Sequence, residues 1–335
     1  MTRNLRIITL AALWVACAAS AHAQLAQRDS VTMPEAAHKS TVAFFLEEKD
    51  FLPESVAYDP KDKAFYVGST RKGKIVRVDA SGNASDFIAP RQDGLWMVIG
   101  IKIHPTRRVL WACSFDGESL EGFQKSDTRA SGVFAFNLDT GKLIRKWVLD
   151  KPGEVHAFND VVLTRGNDAY VTHMFQEAAI YRISDKSGEM EVFARIPGLV
   201  DPNGIAMTPN ESTLFVAGYD GMYAVDRKTG ASRMLQASAG DSLGAVDGLY
   251  YYRGSLIAVH MTSVRRHRLD KDATRVVSTE ILEANHPLFD VPTTGVIVGD
   301  DFYYVANGQF NKVQPDGSLL TDQLNEPAIL KLRLR

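Results

Sequence analysis

Short apolar runs rich in Val, Ile, Phe and Tyr alternate along this chain with clusters of Asp, Asn, Gly and Pro. That texture predicts β-strands separated by tight turns. Six segments repeat one order: a polar or small residue, an apolar strand, a turn, then a second strand ending on small or polar residues. They begin at Glu54, Ile99, Asn159, Asn203, Asp247 and Thr294, at spacings of 45, 60, 44, 44 and 47 residues. A period near 45 built from β-branched and aromatic runs predicts propeller blades rather than helical repeats. The residues between these anchors supply two more strands per blade, as in 221–226 and 232–236.

Asp226-Arg-Lys-Thr-Gly230, Asp79-Ala-Ser-Gly82 and Asp139-Thr-Gly141 read as hairpin turns. There Asp offers a local hydrogen bond and Gly the positive φ that a tight reversal requires. The expected fold is all-β, a six-bladed β-propeller of four-stranded antiparallel blades, occupying residues 41–335 as one domain. The sixth blade is one strand short where Ile329-Leu-Lys-Leu-Arg-Leu334 finishes it. Thr41-Val-Ala-Phe-Phe-Leu46 is expected to pair there and close the ring without an exposed edge.

Residues 1–23 stand apart from this pattern. A basic start with Arg3 and Arg6, an uncharged apolar run and Ala21-His22-Ala23 read as a cleavable signal peptide. Residues 24–40 follow as a linker, and no membrane-spanning segment is expected in the mature chain. The protein is therefore expected in the periplasm or outside the cell, with lipidation at Cys17 as a lesser alternative. Removing the leader takes away two arginines and no acid, moving the net charge from −2 to −4. With 38 basic and 40 acidic residues there is no broad basic surface, so a nucleic-acid partner is not expected. Cys113 is left alone, which excludes an intrachain disulfide and suggests a buried small hydrophobe. A monomer is the expected state.

In a propeller the first strand of each blade lines the central channel, so the anchors point at one axis. Four carry oxygen: Glu54, Asn159, Asn203 and Asp247. Two carboxylates and two amides converging in a low-dielectric channel are costly unless something positive satisfies them. All-oxygen ligation with two negative charges suits one divalent cation, Ca²⁺ first, with Mg²⁺, Mn²⁺ or Zn²⁺ as alternatives; Zn²⁺ would prefer His or Cys. The competing reading is that Asn-Gly and Asp-Gly here are strand-entry turns.

These residues lie in Pro53-Glu54-Ser55-Val56-Ala57-Tyr58-Asp59, Phe158-Asn159-Asp160, Pro202-Asn203-Gly204-Ile205-Ala206 and Val246-Asp247-Gly248-Leu249. Over all six repeats the sequence resembles the SMP-30/gluconolactonase/regucalcin family of six-bladed propellers, and more distantly the paraoxonases and diisopropylfluorophosphatase. The resemblance implies that the four positions hold a divalent metal in the channel and that Asp247 also serves as base or nucleophile. It further implies hydrolysis of a lactone or related ester. Sugar lactonases of the family carry an arginine two residues before the first metal asparagine. Here Ala157 stands there, which favours a more apolar substrate.

The second strands end on Ser69, Ser114, His173, Gly218, His260 and Asn307. His173 and His260 share one phase, and a neutral imidazole there suits proton transfer or carbonyl positioning. The bland alternative is a pair of rim histidines bonded to backbone or water. Two long loops, 115–132 and 308–327, flank blade one and are placed to cover Glu54, with Phe115, Phe123 and Phe310 as apolar contacts; the competing reading is a pair of disordered surface excursions. The function expected is an exported, metal-dependent lactone or ester hydrolase. The alternative is a non-enzymatic propeller with a structural metal that binds a protein or small molecule on its upper face.

Overall fold

A computed structural model describes residues 37–126, 128–175, 178–238 and 241–335. The expected signal peptide and most of the linker lie outside the described residues. Among those described, 24 strands form six four-stranded antiparallel sheets. In blades one to five the spatial order follows the chain, as in a meander. The inner strands are Pro53–Asp59, Met97–His104, Ala157–Leu163, Ile205–Met207, Val246–Tyr252 and Gly295–Val298. Each lies against the inner strands of both neighbouring blades, so the ring is closed.

Closure uses the segment expected from the sequence. Thr41–Phe45 pairs with Ala328–Arg333, Thr41 opposite Lys331 and Phe45 opposite Ala328. The first described strand thus completes the last blade. Just before it, the fully buried carboxylate of Glu283 in blade five accepts the backbone N–H groups of Lys39 at 2.9 Å and Ser40 at 2.6 Å. This strap ties the entering chain to blade five and blade six together.

An apolar cluster fills every seam between blades. Tyr66, Ile75, Ile101, Leu110, Phe134 and Phe136 fill the seam of blades one and two, while Val56, Val67, Val305 and Ile329 join blade six to blade one. Fully burying each such side chain contributes about 1.5–3 kcal/mol, so the ring is held by its six seams rather than by covalent links. Cys113 is buried in the seam of blades two and three, where burial pushes its thiol well up.

The turns behave as their chemistry dictates, with one change. Asp226 Oδ1 accepts from the N–H groups of Lys228 and Thr229, and Gly230 has φ +75°. In the blade-two turn Asn137, not Asp139, takes this role, accepting from Asp139 and Thr140 N–H. Asp139 is drawn away by Arg108, whose Nη2 lies 2.7 Å from its Oδ1.

Candidate metal centre

The anchors share a local backbone feature that no composition rule reveals. In blades one, two, three and five the inner strand slips register at the anchor, placing an extra residue against the second strand. In blade three, for instance, Phe158 faces His173 and Val161 faces Val171, leaving Asn159 and Asp160 against one residue. Such a β-bulge re-aims side chains out of the alternating pleat. Blade four has the same pattern just before its strand, with Asn203 N–H donating to Ala217 O and Ala217 N–H to Gly204 O, both at 2.9 Å. In blade six the matching pair is Thr293 and Thr294, so the anchor is Thr293, one residue earlier than the repeat suggested. By the same register the second strand of blade six matches His260 at Ala306, not Asn307.

Neighbouring bulges are hydrogen-bonded around the axis. Gly204 N–H donates to Asp247 O at 2.9 Å, and Thr293 Oγ1 and Thr294 Oγ1 donate to Glu54 O at 2.7 and 2.9 Å. Thr172 Oγ1 donates to Asn203 O at 2.8 Å. The approach is close enough to need glycine: a Cβ on Gly100 would lie 2.5 Å from Asn159 O and 2.7 Å from Asp160 Cα.

The ring of anchors is thus Glu54, Ile99, Asn159, Asn203, Asp247 and Thr293. Four of these present a buried oxygen with no hydrogen-bond partner: Glu54 Oε2, Asn159 Oδ1, Asn203 Oδ1 and Asp247 Oδ1. One orphaned acceptor costs about 1–3 kcal/mol, and four stand at one phase of four blades, where a positive group would satisfy them. Among the described residues no three His, Cys, Asp or Glu side chains gather as a metal site. The quartet differs in kind, since half of its oxygens are amides, a donor set that suits a hard divalent cation.

Burial raises the Glu54 carboxyl well above its ordinary range, and Asp247 and then Asp160 push it further. Asp247 is pushed up to about 7, by burial first and Asp160 second. Anchors of blades one and five thus sense each other across the axis, together with a third acid that the sequence reading did not single out. Asp160 is buried, its carboxylate accepts Val161 N–H at 2.8 Å and Ile205 N–H at 3.3 Å, and Lys102 Nζ lies 3.4 Å from it. The available signal was its place beside Asn159, where glycine stands in three other blades.

The two histidines sit deeper than a rim. His173 is buried between the rings of Phe158 and Tyr181. Its Nε2 meets His156 Nδ1 at 3.0 Å, and His156 Nε2 meets Glu154 Oε2 at 2.8 Å. His260 is buried and bonded to the Ala245 backbone, with Nε2 unpartnered. Burial, then Arg265 and His267, holds His260 well below its ordinary value, so it is neutral. His156 and Glu154 complete a line of groups with His173 that the sequence did not reveal.

Ile99 fills the blade-two anchor with an apolar face. It clusters with Met97 and with Leu120 from the long blade-two loop, against Trp96, Phe115 and Phe123. The two long loops meet at Arg71 of blade one. Arg71 Nη1 donates to Ser119 O at 3.3 Å in one loop and to Gly317 O at 2.8 Å in the other. The clefts at the outer seams, around Lys74 and around Asp241, contain none of the anchors.

No family model and no curated protein matches this chain. Solved structures do. A gluconolactonase of Xanthomonas campestris matches at TM-score 0.58 and 16% identity, over 84% of this chain and 86% of that one. Regucalcin of Agrobacterium tumefaciens, a calcium-binding protein, matches at 0.57 and 15%, over 88% and 96%. The fold is that of gluconolactonases and regucalcin. It is shared as well by the major Malassezia sympodialis allergen Mala s 1, at 0.64 and 16%, over 84% and 93%. The six-bladed ring read from the sequence is therefore the observed fold, and among the described residues no helix is long and apolar enough to cross a membrane.

Proposed function

We propose that this chain is a hydrolase of a lactone or related ester that depends on one divalent cation, Ca²⁺ first among the candidates. The observation that carries the reading is the set of four unpartnered buried oxygens on Glu54, Asn159, Asn203 and Asp247. These residues would hold the cation, which when bound supplies polarisation of the substrate carbonyl and stabilisation of the charge that develops on it. Asp247 is the base or nucleophile. The apolar face around Ile99 and the absence of an arginine at Ala157 support a substrate less polar than a sugar lactone.

His173 and His260 are the candidates for returning a proton to the leaving alkoxide, and in this reading one must reach the channel from its buried place. That burial is the observation favouring the second reading, a propeller whose ion is structural and whose upper face binds a small molecule or protein. The basic, then apolar, then Ala21-His22-Ala23 pattern over residues 1–23 supports a cleavable leader and export to the periplasm or beyond the cell. The test is a panel of alkyl lactones and aryl esters with purified protein, with Ca²⁺ and with excess EDTA. Turnover should require the cation and be lost in Asp247→Asn. Undiminished turnover in EDTA overturns the hydrolase mechanism, and ligand binding retained by an inactive Asp247→Asn together with an inactive wild type supports the binder.

A further inference from the structure

Lys102 stands out on the inner strand of blade two. Aligned on the bulges, its counterparts are Ala57, Val162, Ala206, Tyr250 and Val296, so this is the one charged side chain at its phase. Its Nζ lies 3.4 Å from Asp160 Oδ1 in blade three and 5.1 Å from the ring centroid of Tyr250 in blade five. One ammonium therefore reaches residues of blades on both sides of the axis. The Asp160 carboxylate it pairs with acts electrostatically on both Glu54 and Asp247. Backbone N–H groups of Val161 and Ile205 fix that carboxylate, and Gly100 leaves it room: a Cβ there would stand 2.8 Å from Asp160 Oδ1.

We infer that Lys102 is a built-in counter-ion that sets the charge of the channel to match a single divalent cation. The inference rests on reading the quartet as a cation site. By formal charge, the three carboxylates Glu54, Asp160 and Asp247 and the one ammonium Lys102 that a bound cation would face sum to −2. One divalent cation neutralises it. Without the ammonium the same channel carries −3, which favours a trivalent ion and holds any cation more tightly. Lys102 is a positioning residue: it acts through Asp160 and the field on the quartet and ligates nothing.

The claim separates charge from structure through four proteins: the wild type, Lys102→Met, Asp160→Asn and the double variant. Their channel charges are −2, −3, −1 and −2. Ca²⁺ and Tb³⁺ affinities are measured at pH 8 by calorimetry and terbium luminescence on EDTA-stripped protein. Lys102→Met should bind Ca²⁺ about tenfold or more tightly and shift preference toward Tb³⁺, while Asp160→Asn should bind Ca²⁺ about tenfold or more weakly. The double variant should return to wild-type affinity and selectivity despite lacking the ion pair. If Lys102→Met does not fold, the remaining three proteins still decide, because the double variant must bind more tightly than Asp160→Asn. Equal affinities across the series overturn the inference while leaving the quartet intact. A wild type that binds neither ion overturns the quartet reading and this inference with it.

Discussion

Replacing Asp247 by Asn removes one charge from the channel while keeping the size and an amide oxygen at the same place. In the cation-free protein the Asp247 carboxyl is pushed up to about 7 from an ordinary 3.8. A group whose folded pKa lies above its unfolded value is more readily protonated when folded. The penalty of carrying it is therefore small near pH 4, grows as pH rises from 4 to 7, and is constant above 7. Three pKa units correspond to about 4 kcal/mol at full development. Asp247→Asn should accordingly stabilise the cation-free chain at pH 8 and change it little at pH 4. At about 2 °C per kcal/mol for a chain of this length, Tm at pH 8 should rise by roughly 6–8 °C. The assay is thermal unfolding by circular dichroism in EDTA at both pH values, repeated with Ca²⁺. The wild type should gain stability from Ca²⁺ by mass action, and the variant should gain little. A variant no more stable than wild type at pH 8 in EDTA would refute the claim that Asp247 is an unsatisfied buried charge.

Other consequences concern the ring itself. Glu283→Ala removes the acceptor of the Lys39 and Ser40 N–H groups, and should cost about 2–4 kcal/mol in urea unfolding; loss within 0.5 kcal/mol would deny the strap a role. Gly100→Ala drives a methyl into Asn159 O and Asp160 Cα and should cost about 2–3 kcal/mol, whereas Gly254→Ala, at φ +77° in open space, should cost about 1 kcal/mol. Arg71→Ala should deprotect amides of both long loops together in hydrogen exchange, since one guanidinium holds a carbonyl of each; protection lost in one loop alone contradicts the clamp.

How far the sequence reached follows from what kind of fact each feature is. Six repeats of β-branched and aromatic runs force strands, and strands that must each cover two faces force blades, so the ring was legible. Closure by Thr41–Phe45 was legible because the sixth repeat is short of a strand. The shared register of Glu54, Asn159, Asn203 and Asp247, each with an unpartnered buried oxygen, was legible because a common phase in a repeat becomes a common place in each blade. Its hidden partners were not. Asp160 and Lys102 lie 58 residues apart in the chain, and only the distance between blades two and three makes them a pair. Likewise Glu283 meets Lys39 across 244 residues of sequence separation. The off-by-one at Thr293 arises because two threonines in a row give pattern reasoning nothing to choose between, while the backbone hydrogen bonds to Val305 decide it. Asp139 yielded its turn to Asn137 because an arginine from another loop competes for its carboxylate.

The central claim is that four anchor oxygens hold one cation. It is tested most directly by Ca²⁺ titration of the EDTA-stripped wild type and of Asn203→Ala at pH 8. Asn203 carries no charge, so an effect there reports ligation and not the field of the channel. The account predicts one Ca²⁺ per wild-type chain and an affinity lowered at least about tenfold in Asn203→Ala. Binding of equal strength and stoichiometry in the two proteins would contradict it.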